Sequence, residues 1–151
     1  FMMKIRIPYP SAEAEEAVLT RWSDGSSAHE EAEHAIQPVF TPPELRALRG
    51  TAGRVHVDPS IVRYLQRVMA ASRESPHLVL GAGTRAGLHQ LLACRVWASL
   101  QGREFVTPDD VKELAPEVFA HRLILQADAA VDGVRAEDVL AELLQGVEVH
   151  R

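Results

Sequence analysis

The run Gly81-Ala82-Gly83-Thr84-Arg85-Ala86 places an arginine on the first turn of a strongly apolar helical segment. A helix N-terminus already favours anions through its free backbone N–H groups and its dipole. A guanidinium added there supplies a planar, permanently charged fork whose donors match phosphate oxygens. Recognition of a phosphoryl group is one reading of Arg85. The other is an ion pair with a neighbouring carboxylate, since many such pairs are purely structural.

Other chemistry is scarce. The sequence has no glycine-rich loop ending in Gly-Lys-Ser/Thr and no strand closing on paired acids for a metal. Nor does it hold a persuasive Ser/His/Asp or Cys/His set. The seven histidines are scattered. His29 and His34 stand in a polar stretch, and neither His-Glu-x-x-His nor Cys-x-x-Cys spacing occurs. No catalytic residue and no metal ligand is assigned within the chain. The single Cys94 lies among apolar neighbours, so a disulfide framework is excluded and a reducing cytoplasm is the default expectation.

The elements that position Arg85 read as short helices. Leu78-Val79-Leu80 precedes the glycine turn, and Leu88, Leu91, Leu92, Cys94, Val96, Trp97 and Leu100 make 85–101 apolar on nearly every side. Such a helix is expected inside a bundle. Upstream, Ser11 caps a helix with Glu13, Glu15 and Glu16 in its first turns and Ala14, Ala17, Val18 and Trp22 as its apolar stripe. It should fade at Ser23-Asp24-Gly25. The acidic stretch around Glu30, Glu31 and Glu33 reads as a polar excursion that docks back through Ile36, Val39 and Phe40. Thr41-Pro42-Pro43-Glu44 opens a helix with a capping box, ending near Gly50. Val55-His56-Val57 is extended. Asp58-Pro59 starts a helix with Ile61, Leu65, Val68 and Met69 inward, stopping before Pro76.

Gly102 closes the central helix, and Thr107-Pro108-Asp109-Asp110 opens the next with an aspartate in the capping box. Capping explains Asp109 and Asp110 without a metal, and Arg103 is expected to pair locally. Pro116 should break that helix and start a short one containing His121-Arg122. The stretch 128–134 reads as a loop and 135–144 as a final amphipathic helix. Phe1–Ile7 alternates partly like a strand, and Val147-Glu148-Val149 reads as another. The fold class expected is mainly α, a small helical bundle with a short strand at each end.

At 151 residues, 46% hydrophobic and 25% charged, the chain has the size and composition of one ordinary domain with a real core. Its net charge of −5 disfavours nucleic acid as a partner. No segment is long and apolar enough to span a bilayer. A lone strand at Phe1 cannot satisfy its own backbone, which suggests a chain that begins inside a larger protein.

Taken together these segments resemble the C-terminal lid of a MoxR-type AAA+ ATPase. Phe1-Met2-Met3-Lys4-Ile5 with Tyr9-Pro10-Ser11 resembles the end of that family's core domain. Ser72-Arg73 resembles its Thr-Arg turn, and Leu80-Gly81-Ala82-Gly83-Thr84-Arg85-Ala86 its sensor-2 motif. Gly102-Arg103-Glu104-Phe105-Val106-Thr107-Pro108-Asp109-Asp110-Val111, the most specific run, and His121-Arg122-Leu123 follow in order. Gly83-Thr84 replaces the family's Ser-Pro, so the cap is expected to move to Thr84.

The resemblance implies residues 1–8 as the end of an AAA+ core domain and 9–151 as the helical lid. Pro8, Tyr9 and Pro10 would form the hinge, and Arg85 would reach the γ-phosphate of ATP bound by its own subunit. ATP and Mg²⁺ would be held mainly by the core domain, with catalysis outside this chain. It further implies a homo-oligomeric ring, a hexamer, that places His121-Arg122 near a subunit interface. Chaperone-like remodelling alongside a von Willebrand factor A-domain protein is implied as well. The rival class is a non-enzymatic helical interaction module or a DNA-associated bundle, which the acidic balance disfavours.

Overall fold

The computed structural model describes residues 1–23 and 37–149. The chain divides into two compact units, Arg6–Arg46 and Phe1–Ile5 with Ala47–Arg151. The acidic excursion, His29, His34 and Ile36 lie outside the described residues.

In the Arg6–Arg46 unit, α1 (Ala12–Ser23) begins where Ser11 Oγ accepts the Ala14 N–H at 3.3 Å. It buries none of its residues, and Val18, Trp22, Val39 and Phe40 are all exposed. The expected stripe of α1 is therefore not buried within its own unit, a segment this short having too little interior to receive it. The helix α2 (Pro42–Arg54) starts with the predicted capping box. Thr41 N–H donates to Glu44 Oε2 at 2.7 Å, and Glu44 N–H to Thr41 Oγ1 at 3.5 Å. It continues past Gly50 to Arg54, because one interior glycine costs only about 1 kcal/mol against alanine.

The larger unit is built around α3 (Pro59–Glu74), α4 (Thr84–Leu100), α5 (Pro108–Phe119) and α7 (Ala136–Gly146). Asp58 caps α3 by accepting the Ser60 N–H at 2.7 Å. Ile61, Tyr64, Leu65 and Val68 of α3 enter a core shared with Val111, Val118 and Phe119 of α5 and Val139, Leu140 and Leu144 of α7. The buried Tyr64 hydroxyl donates to the Leu144 carbonyl at 3.1 Å, which removes the cost of an unpaired polar group.

The helix α4 departs from the expectation of complete burial. Its core face is made of small residues, Ala86, Gly87, Ala93, Cys94 and Ala98, with Gln90 among them. That face lets α5 and α3 approach closely; a Cβ on Gly87 would stand 2.8 Å from Met69 Sδ. Leu88, Leu92, Val96 and Leu100, four residues apart, face outward instead. Gln90 is fully buried and donates to the Val111 carbonyl at 2.9 Å.

Among the described residues the sheet is an antiparallel pair, β1 (Leu78–Leu80) with β2 (Ile124–Leu125), in the register Leu78↔Leu125 and Leu80↔Ile124. His56 forms a parallel bridge to Phe105, consistent with the extended Val55–Val57. The two terminal strands do not form. Phe1–Ile7 hydrogen-bonds to helix ends rather than to a strand, and Phe1, Ile5 and Ile7 are exposed while the consecutive Met2 and Met3 pack on the core. Val147 is instead the C-cap of α7, its N–H bonded to Leu143 O at 3.2 Å.

Two further differences lie downstream. Pro116 sits inside α5 rather than ending it, and a 3₁₀ turn, Ala120–Arg122, follows Phe119. The stretch expected as a loop holds a five-residue helix, α6 (Ala127–Val131), closed by Gly133 at φ +80°. The fold is mainly α, as the sequence indicated.

Candidate functional site

The start of α4 is fastened to the end of α3 before Arg85 is reached. Ser72 Oγ donates to Met69 O at 2.7 Å and accepts the Ala82 N–H at 2.9 Å. Arg73 Nε donates to Ala82 O at 2.9 Å. Gly81 passes so close to α3 that an added Cβ would meet Arg73 N and the Ser72 carbonyl at 2.6 Å. The glycine turn is thus a rigid mount, and only a residue without a side chain fits at 81.

Gly83, not Thr84, is the N-cap of α4, with extended backbone and no side-chain cap bond. Thr84 already lies in the first turn. The Gly-Thr replacement leaves the leading N–H groups of α4 without a capping side chain, except for what backbone geometry provides: Ala86 N–H donates to Gly83 O at 2.9 Å. Arg85 is exposed, and among the described residues it makes no hydrogen bond or ion pair. The permanent acidic mate of the structural reading is not found among them.

The charges that act on His89, one turn after Arg85, are positive. His89, one turn further along the same face, is half-buried, and its Nδ1 lies 2.7 Å from an Arg122 terminal nitrogen. Arginine only donates, so Nδ1 is the acceptor and the proton sits on Nε2. Burial first, then the charges of Arg122, Arg85 and His121, holds the His89 pKa below the usual imidazole value. Arg122 Nε also donates to Val118 O at 2.9 Å, and its NH2 group reaches the carbonyls of Phe1 and, at 3.4 Å, Met2. His121 Nδ1 stands 3.1 Å from Glu117 O, and Lys4 N–H donates to the same carbonyl at 2.9 Å. A guanidinium without a partner among the described residues, one turn before an imidazole that accepts from a second arginine, has the chemistry to receive an anion.

Arg103 and Asp110 pair locally, as expected. Asp110 is 3% exposed and receives Arg103 through both oxygens, at 2.8 and 2.5 Å, as well as the Thr107 N–H at 2.7 Å. Burial pushes its carboxyl up, but the Arg103 and Thr107 hydrogen bonds outweigh that and hold it below the usual value. This pair fixes the α4–α5 turn and is not near Arg85 in the hydrogen-bond network. Pro8, Tyr9 and Pro10 are exposed in a stretch without helix or strand, in the Arg6–Arg46 unit. Cys94 is buried with its thiol pushed up to about 12, which makes it inert. Among the described residues no group of three or more His, Cys, Asp or Glu could hold a metal ion, and no helix is long and apolar enough to cross a membrane.

The structure exposes Arg85 and adds neighbours of His89 that the sequence does not single out. The i, i+4 spacing of Arg85 and His89 was legible; the arrival of Arg122 from 33 residues beyond His89 was not. Ser72-Arg73, a motif in the sequence, is the mount of the glycine turn.

Residues 70–143, from the end of α3 into α7, match the AAA lid domain family. The chain belongs to the MoxR family of AAA+ ATPases. It is 32% identical over 156 residues to chaperone MoxR1 of Mycobacterium tuberculosis, covering 97% of this chain and 40% of that protein. It is 30% identical over 152 residues to the uncharacterized protein YeaC of Bacillus subtilis, covering 99% of this chain and 45% of the relative. A crystal structure of a candidate ATPase from Cytophaga hutchinsonii matches with a TM-score of 0.83 and 25% identity, over 100% of this chain and 47% of that one. The chain therefore spans less than half the length of these relatives.

Proposed function

We propose that this chain is the sensor-2 lid of an ATPase that binds and hydrolyses ATP to drive chaperone-like remodelling or assembly of protein complexes. The observation that carries the reading is Arg85: exposed, without a hydrogen bond or ion pair among the described residues, and one turn before His89, which is itself held by Arg122. Phosphoryl transfer is catalysed mostly by positioning and charge stabilisation, and a guanidinium held on a rigid mount contributes to both. The donor set fits a terminal phosphate. Guanidinium and imidazole N–H donors do not ligate Mg²⁺, and on this reading the metal and most of the nucleotide belong to the core domain.

Residues 1–8 then close that core domain and 9–151 form the lid, with the exposed Pro8-Tyr9-Pro10 as hinge. Loss of the terminal phosphate removes the partner proposed for Arg85 and releases the lid, so hydrolysis is converted into rigid-body motion. The cytoplasm is its compartment, the assembly a homo-oligomeric ring, a hexamer, and a von Willebrand factor A-domain protein its partner class. The relative named chaperone MoxR1 supports the remodelling role.

The test is Arg85→Ala in the full-length protein. ATP hydrolysis is expected to fall by at least about 10-fold, and by order 10²-fold if arginine fingers are a guide. Unchanged hydrolysis would end the sensor reading and leave a non-enzymatic interaction module as the better account.

A further inference from the structure

Arg122 joins three parts of the molecule that are far apart in sequence. Its Nε is spent on Val118 O at the end of α5. Its NH2 group meets His89 Nδ1 at 2.7 Å, on the turn of α4 that follows Arg85. The same group reaches the carbonyls of Phe1 and Met2. Lys4 N–H, bonded to Glu117 O at 2.9 Å, and the packing of Met2 and Met3 on the core hold that N-terminal segment along the same side.

A cation that only stabilised the end of α5 would be satisfied by Val118 O and solvent. Arg122 does more than this: it bridges the N-terminal segment to the helix that carries Arg85. We propose that Arg122 is the positioning residue of the Arg85 site, a latch that fixes residues 1–2 and His89 against each other and so sets where Arg85 stands.

The proposal rests on Arg85 being the phosphate sensor and adds the residue that aims it. On that reading Phe1 and Met2 belong to the core domain and Arg122 to the lid, so the latch spans the boundary that moves. The planar fork is essential. Nε points to Val118 O, and the two N–H of NH2 point to His89 Nδ1 and the Phe1 carbonyl, with Met2 O the longer contact; the single nitrogen of an ammonium does not reproduce that spread.

The test has two parts. In the full-length protein, ATP hydrolysis is measured for Arg85→Ala, Arg122→Gln, Arg122→Lys and the Arg85→Ala/Arg122→Gln double variant. Arg122→Gln is expected to lower kcat about 10-fold with KM for ATP nearly unchanged, since misplacement of the order of 1 Å costs up to 10²-fold. Arg122→Lys should restore less than half of the loss. The double variant should be no slower than Arg85→Ala alone, because a misaimed residue that is already gone costs nothing further. In the 151-residue chain, nitrogen NMR of His89 reads the latch directly. Arg122→Gln should raise the His89 pKa and release Nδ1, with Arg85, His121 and the Phe1 amino group as the positive charges that remain near it.

An unchanged His89 signal would show that the latch is absent. Additive losses in the double variant would show that Arg122 acts only on stability, and either result overturns the proposal. If Arg85→Ala leaves hydrolysis intact while His89 responds to Arg122→Gln, the sensor reading fails, and the coupling with it, although the latch contact stands.

Discussion

Gly81→Ala should cripple the chain although it adds a single methyl group. The new Cβ would lie 2.6 Å from Arg73 N, Ser72 C and Ser72 O, all backbone atoms of α3 that cannot swing aside. Restoring ordinary contact requires the glycine turn to retreat by about 0.8 Å, and overpacking of this kind costs about 1–3 kcal/mol. The retreat also stretches the Ser72–Ala82 and Arg73–Ala82 hydrogen bonds, about 1 kcal/mol each. Loss of glycine's freedom in the unfolded chain returns about 0.4–1 kcal/mol. The net destabilisation expected is about 3 kcal/mol, read from urea unfolding followed by circular dichroism. Gly83→Ala is the control: nothing lies within 4 Å of its Cβ and its φ is −84°, so a change within about 0.5 kcal/mol is expected. A Gly81→Ala loss below about 1 kcal/mol, or an equal loss at Gly83, would refute the rigid mount.

Other perturbations separate the remaining parts of the account. Asp110→Asn keeps the shape of a nearly buried carboxylate but sets an amide against Arg103 or the Thr107 N–H, and should cost about 2 kcal/mol in the same urea assay. Leu92→Gln, on the outward stripe of α4, should change stability by less than about 0.5 kcal/mol. Ala93→Leu, beside it on the buried face, should cost about 1–3 kcal/mol. The pKa of His89 is lowered in the folded chain, so the unfolded chain binds the proton more readily; this stability is present above about pH 6.5 and is lost as pH falls below it. His89→Asn should therefore flatten the pH dependence of the urea midpoint in that range.

Local chemistry was legible in the sequence and tertiary placement was not. The capping boxes at Thr41/Glu44 and Thr107/Asp110, the Asp58-Pro59 start and the Gly102 stop, at φ +71°, all follow from hydrogen-bonding and steric rules that act within four residues. The orientation of α4 does not follow from them. Its leucines carry the hydrophobic signal, yet the alanine, glycine and cysteine face wins the core because close helix approach favours small side chains over large ones. Strand-like alternation at Phe1–Ile7 and Val147–Val149 failed for a related reason: a strand needs a partner, and helix ends are what these segments meet. Proline at 116 was read as a breaker, but α5 continues through it. At the site, Arg85 was legible from its place at the head of a helix, whereas Arg122 reaches His89 only through the packing of the 3₁₀ turn beside α4.

The account stands on Arg85 distinguishing a nucleotide with a terminal phosphate from one without it. The most direct measurement compares the affinities of ADP and a non-hydrolysable ATP analogue for the full-length protein, with and without Arg85→Ala. The account predicts that the variant binds ADP unchanged and the triphosphate about 10-fold or more weakly, the loss of roughly one charge-assisted contact. Equal weakening of both nucleotides, or of neither, would contradict it.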